Sequence, residues 1–150
     1  MRKLDLSDSL GMLVFLTSKS LERLAEAEMK KRLGLTSSQW KIIMALNLSD
    51  GLSQKELAEK IYVDGSTLVP IIDKMELDGL VERRQDPNDR RNNRIFLTKK
   101  SGSVVDSIIE IILELRKIIY NELSQEELES AKKTMKKIID NADTVANKAM

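Results

Sequence analysis

No cysteine and no histidine occur among the 150 residues of this chain. Without cysteine there is no disulfide framework, thiol redox switch or thiolate zinc site. Without histidine there is no imidazole base, no Ser-His triad and no His-ligated metal. Carboxylates alone remain as ligands or acid–base groups, and they fall as scattered helix surface charge with no ligand spacing. No glycine-rich phosphate loop is present. An enzyme is therefore not expected, and neither is a cofactor or a metal. Aromatic residues make up only 3% and prolines number two, which with abundant Ile, Leu, Lys and Glu favours helices over an all-β sandwich. No apolar run approaches the roughly 20 residues that span a bilayer, so no membrane partner is expected. The opening Met1-Arg2-Lys3-Leu4-Asp5 has no apolar signal region, and a cytoplasmic protein is expected.

The net charge of +1 is too small to mark a polyanion binder, but the distribution is uneven. Between Glu82 and Lys100 stand seven basic residues (Arg83, Arg84, Arg90, Arg91, Arg94, Lys99, Lys100) against three acidic ones (Glu82, Asp86, Asp89). Within that stretch, the polar run from Asp86 to Asn93 separates two short strand-like segments, Leu80–Arg84 and Arg94–Leu97. A basic hairpin tip contributes little to a core, and planar guanidinium groups suit phosphate and narrow grooves. Placed just after two short helical segments, it reads as the wing of a winged helix-turn-helix.

The helical segments follow from apolar periodicity and capping residues. A long amphipathic helix is predicted from Ser9 to about Leu33, ending near Gly34, and Thr36-Ser37-Ser38-Gln39 is a capping box opening a second helix that Asp50-Gly51 breaks. Ser53-Gln54-Lys55-Glu56 is another capping box, starting a short helix with Leu57, Ala58 and Ile61 inward. After a turn over 61–64, Asp64 or Ser66 caps a helix whose Leu68, Ile71, Ile72 and Met75 share one face, and Gly79 stops it. Pro70 implies a local distortion or a late start for that helix. Two short helices joined by a tight turn make a helix-turn-helix pattern. Thr98 is expected to cap a long helix to about Glu122, and Ser124 to open a last one. On the latter, Lys132, Lys133, Lys136 and Lys137 alternate with acidic residues and read as a solvated face.

The expected fold class is mainly α with a small β-hairpin: one domain over 1–150, with a winged helix-turn-helix core at 36–98. Residues 1–33 and 99–150 form terminal dimerisation helices. Their apolar faces are wider than a small winged core can cover, and two copies meeting through a symmetric interface would bury them.

At these positions the chain resembles the MarR family of transcription regulators. The matching text is Leu52-Ser53-Gln54-Lys55-Glu56-Leu57-Ala58, Ser66–Glu76, Gly79-Leu80-Val81-Glu82-Arg83, then Asp86-Pro87-Asn88-Asp89-Arg90-Arg91 and Leu97-Thr98. The resemblance implies an obligate homodimer on double-stranded DNA at a pseudo-palindromic operator, with the recognition helix in the major groove and the wing in the minor groove. It also implies a repressor released by a small phenolic or lipophilic ligand. The Thr67-Leu68-Val69-Pro70 segment is similar to the organic-peroxide-sensing branch, but a chain without cysteine cannot sense by thiol oxidation. A winged-helix protein-interaction module, its wing bound to an acidic partner, is the alternative.

On the recognition helix, Ser66, Thr67, Val69 and Pro70 are left on the outer side near the amino end. Ser66 and Thr67 can donate hydrogen bonds or simply cap the helix, while the methyls of Thr67 and Val69 suit thymine methyl groups. With no Arg, Asn or Gln reader there, DNA shape read by the wing should supply much of the specificity. Arg90 and Arg91 are the principal wing candidates, one entering the groove while the other braces the tip through Asp86 or Asp89. Arg94 and Arg84 are further candidates, with Arg83 and Arg84 on opposite faces, and Gln54 and Lys55 could hold a phosphate. By the same resemblance an effector would lie between dimer helices and winged core, where Phe15, Lys19, Trp40 and Tyr120 offer aromatic walls and a cation.

Overall fold

Capping chemistry sets most of the boundaries in the computed structural model, which describes residues 1–150. Helix α1 (Leu10–Leu33) starts where the Ser9 hydroxyl accepts from the Met12 N–H, and it ends in the left-handed Gly34. Its last turn carries Lys30, Lys31 and Arg32, which suit the negative end of the helix dipole. Thr36 and Gln39 form the capping box of α2 (Ser37–Leu48), and Ser53 and Glu56 that of α3 (Gln54–Ile61). These reciprocal bonds satisfy amide groups that would otherwise be orphaned in the first turn.

The turn after α3 is made by Tyr62, held at φ 57, then Val63 and Asp64, and α4 runs from Gly65 to Leu77. Asp64 occupies the cap position without a side-chain bond, so neither Ser66 nor Thr67 is the cap. The expected late start is absent: α4 runs from Gly65 through Pro70 without a break, with the Thr67 and Leu68 N–H groups both donating to the Asp64 carbonyl. Gly79, at φ 73, closes α4 as the Gly79 N–H donates to Glu76 and the Leu80 N–H to Met75.

Two strands, β2 (Val81–Asp86) and β3 (Asp89–Leu97), form the hairpin, and a short β1 (Leu52–Ser53) adds to the far side of β3 in the order β1-β3-β2. The sequence did not announce β1, a two-residue piece between a helix stop and a capping box. Gly51 makes it possible: at φ 78, a Cβ there would lie 2.8 Å from the Phe96 ring. Thr98 does not cap the next helix by its side chain. Its hydroxyl donates to the Gly79 carbonyl, fastening the end of β3 to the end of α4, and α5 begins at Ser101 and ends at Ile119. Helix α6 (Gln125–Ala149) opens with a Ser124–Glu127 capping box, as expected.

The chain divides into two compact units, Met1–Leu115 and Arg116–Met150. In the first, one apolar core joins Met29 of α1, Ile42, Ile43 and Leu46 of α2, Leu57 of α3, Leu68, Ile72 and Met75 of α4, Ile95 of β3 and Ile108 of α5, all fully buried. The second unit has no fully buried side chain in α6. No helix is long and apolar enough to cross a membrane.

A candidate nucleic-acid interface

The hairpin is a ladder with an irregular tip. From Val81 opposite Leu97 to Gln85 opposite Asn93 the pairing is regular, and then Asp86 faces Asp89. Arg90, Arg91 and Asn92 therefore fall between two paired residues with no ladder partners on β2, where only the Gln85 side chain donates to the Arg90 carbonyl, and the strand bulges there. A bulge takes residues out of the ladder and re-aims their side chains. Pro87 and Asn88 make the two-residue turn, with the Asn88 N–H donating to Asp86 Oδ1 at 2.9 Å. Asp89 holds the bulge from inside: its carboxylate accepts from the Arg91 N–H at 3.0 Å and from Asn92 Nδ2 at 2.9 Å. The long loop expected from composition is thus a strand with three extruded residues.

Ion pairing sorts the arginines. Arg83 lies against α4, with Nη2 2.6 Å from Asp73 Oδ1 and Nη1 3.3 Å from Glu76 Oε1. Arg84 points to the other face, as alternation requires; it pairs with Glu82 and lies 4.2 Å from the Phe96 ring centroid. Arg94 is the brace expected of Arg90 or Arg91. Its Nε donates to Asp86 Oδ2 and its Nη1 to the Gly51 carbonyl, both at 2.9 Å, with Glu56 3.9 Å away. The Asp86 carboxyl sits below the usual carboxylate range, first because of the Asn88 N–H and then because of Arg94. Arg90 and Arg91 have exposed side chains and no carboxylate partner. The excess charge read from the sequence is mostly neutralised near the base of the hairpin and left free at its tip.

On α4, Gly65, Ser66, Thr67, Val69 and Pro70 are exposed, while Leu68 and Ile72 face the core. Lys55 is exposed at the second position of α3, and Gln54, at the first, accepts from Arg83 Nε at 3.1 Å. The exposed start of α4, the start of α3 and the hairpin all belong to the first unit. Sequence reasoning missed Arg83 as an anchor. The signal was present in Asp73 and Glu76, two carboxylates one helical turn apart beside an otherwise basic stretch.

The four candidate effector residues do not converge on one cavity. Phe15 and Lys19 neighbour each other on α1, with Nζ 5.8 Å from the ring centroid. Trp40 instead lines a cleft of about 450 Å³ with Met44, Leu48, Tyr62, Lys41 and Lys60, and its buried Nε1–H has no partner. Lys41 also donates to Glu22 of α1 at 2.6 Å. Tyr120 follows the last residue of α5 and is partly exposed. Tyr62, Lys41 and Lys60 were not singled out by the sequence, because only the fold brings the α3 turn beside α2.

Residues 35–92 match the MarR family model. The chain is similar to the HTH-type transcriptional regulator SarZ of Staphylococcus haemolyticus (strain JCSC1435), 28% identical over 136 residues, which cover 91% of this chain and 90% of that protein. Its fold is similar to that of a MarR protein from Peptoclostridium difficile, with 24% identity, a TM-score of 0.81, and coverage of 100% of this chain and 99% of that one. It is also similar to that of the PcaV transcriptional regulator from Streptomyces coelicolor in complex with its natural ligand, at 22% identity and TM-score 0.72, over 95% and 99% of the two chains. The segment that resembles the MarR family model holds the helix-turn-helix, β2 and the tip of the wing.

Proposed function

We propose that this protein is a homodimeric, sequence-specific DNA-binding transcription regulator, acting as a repressor on a pseudo-palindromic operator. The observation that carries the reading is the extruded pair Arg90 and Arg91, unpaired while the other hairpin arginines each hold a carboxylate. Two adjacent guanidiniums without counter-charge on a protruding strand suit a minor groove, where negative potential is concentrated. The exposed amino end of α4 then enters the major groove. There Ser66 and Thr67 donate to bases or phosphates, and Val69 and Pro70 give apolar contact. Gln54 and Lys55 sit on phosphate, and Arg84 and Arg94, each paired with a carboxylate, hold the wing at the DNA. The helix-turn-helix regulator SarZ supports the same role.

Dimerisation is supported by apolar side chains left outside. Leu10, Leu13, Val14, Phe15, Leu16 and Leu21 of α1 are exposed, and so are Ile138, Ile139 and Val145 of α6. A second copy covering such faces would gain about 1.5–3 kcal/mol per fully buried aliphatic side chain. Release by a small phenolic anion is supported by the Trp40–Tyr62 cleft with its lysines and unsatisfied indole N–H, and by a ligand-bound relative of like fold. A ligand would act by favouring a dimer whose two α4 helices are mis-spaced for successive major grooves.

Binding to a duplex selected from a random pool, measured against salt, tests the reading. The parent protein should show a steep log–log salt dependence, and Arg90→Ala combined with Arg91→Ala should bind far more weakly with a slope flatter by about 2. Equal binding by the parent and the double variant would remove the wing from the interface.

A further inference from the structure

Arg83 is the most enclosed guanidinium of the hairpin, its side chain only 18% exposed. It ties its own strand to two helices. Its backbone N–H donates to Glu76 Oε2 at 2.9 Å, Nη1 reaches Glu76 Oε1 at 3.3 Å, Nη2 donates to Asp73 Oδ1 at 2.6 Å, and Nε donates to Gln54 Oε1 at 3.1 Å. Asp73 and Glu76 lie on α4, Gln54 is the first residue of α3, and Arg83 itself belongs to β2. Only a planar fork with donors on three nitrogens can serve these acceptors together; an ammonium is a single point of charge.

We propose that Arg83 is a positioning residue for DNA recognition: it fixes the angle between α4 and the wing and orients the Gln54 amide, without itself touching DNA. The inference rests on the DNA-binding reading above and goes beyond it. Three consequences of the geometry support it. Three of the five side-chain N–H donors of Arg83 are committed to protein acceptors and the side chain is largely enclosed, which leaves little to offer a phosphate. Asp73 and Glu76 would repel a polyanion if they stood alone, and Arg83, paired with both, offsets half of that charge. Because arginine can only donate, Gln54 must turn its carbonyl oxygen toward Arg83, which directs its Nε2–H2 donors away, where they can meet a phosphate.

The role predicts an inverted response to charge. Removing a carboxylate beside a DNA-binding surface ordinarily tightens binding, because repulsion is lost. Here Asp73→Asn should weaken it, because the angle of the wing is lost. The experiment compares the parent protein, Arg83→Ala, Arg83→Lys, Asp73→Asn and Arg90→Ala on the selected duplex and on a scrambled duplex of equal length, across salt. The first three variants should lose about tenfold on the selected duplex, the size of one forfeited base-reading contact. They should change little on the scrambled one and keep the parent's salt slope. Arg90→Ala should weaken both duplexes and flatten the slope by about one. A flattened slope for Arg83→Ala would mean that Arg83 meets a phosphate, and would overturn the proposal. So would tighter or unchanged binding by Asp73→Asn, which alters an exposed side chain and keeps the test decisive if Arg83→Ala does not fold. Absence of salt-dependent duplex binding by the parent would instead remove the DNA-binding reading, and the positioning role with it.

Discussion

Asp86 occupies the neck of the hairpin, nearly enclosed, with the Asn88 N–H on one carboxylate oxygen and Arg94 on the other. Both partners favour the charged form, so its folded pKa lies below the unfolded value. The sign follows from linkage: a depressed carboxyl contributes stability that is present above its unfolded pKa of about 3.9 and is lost as pH falls through the folded value. Unfolding midpoints should therefore fall on acidification below about pH 4, and part of that slope should vanish in Asp86→Asn. Denaturant titrations at several acidic pH values check this; identical slopes in both proteins would mean that Asp86 contributes nothing to the linkage. At this scale the sequence is a partial guide. That arginines and carboxylates alternate along 82–94 is plain to read, but which carboxylate takes which arginine depends on a bulge that no spacing rule revealed.

Among the elements, capping residues are the most legible feature. Thr36–Gln39, Ser53–Glu56 and Ser124–Glu127 all close as reciprocal boxes, because such bonds are local and need no tertiary partner. Helix α4 departs from that rule. Its cap residue Asp64 makes no side-chain bond, and Pro70 sits six residues into the helix, where its missing N–H leaves the Ser66 carbonyl without the usual donor. Burial of Leu68, Ile72 and Met75 keeps the helix continuous despite this. Pro70→Ala should restore one main-chain bond and raise the unfolding free energy by about 1–3 kcal/mol, read from chemical denaturation. A lower midpoint would show that the rigid ring contributes more through the unfolded chain than it costs in the helix. The strand β1 was invisible for the opposite reason: two residues carry no periodicity, and only the approach of β3 to Gly51 makes them a strand.

For the whole molecule, the consequential feature is apolar surface. The core of the first unit takes Ile111 to 1% exposure, so a charge at that position would unfold the chain rather than test assembly. Exposed positions give the cleaner test of the proposed dimer. Leu13→Glu and Ile139→Glu, made separately, should each lower the mass measured by light scattering toward one chain while helical circular dichroism persists. Each replaces an aliphatic contact of about 1.5–3 kcal/mol by a charge at a closing interface. An unchanged dimer in both variants would place the interface elsewhere.

Sequence alone determined the helices, the three reciprocal capping boxes, the helix-turn-helix and the existence of a basic hairpin, since each depends on contacts within a few residues. It also excluded thiol and imidazole chemistry outright. Tertiary structure decided which charges remain free. Arg83 meets Gln54 from 29 positions away and Arg94 meets Gly51 from 43, and pairings that distant arise only when the core brings α3, α4 and the hairpin together.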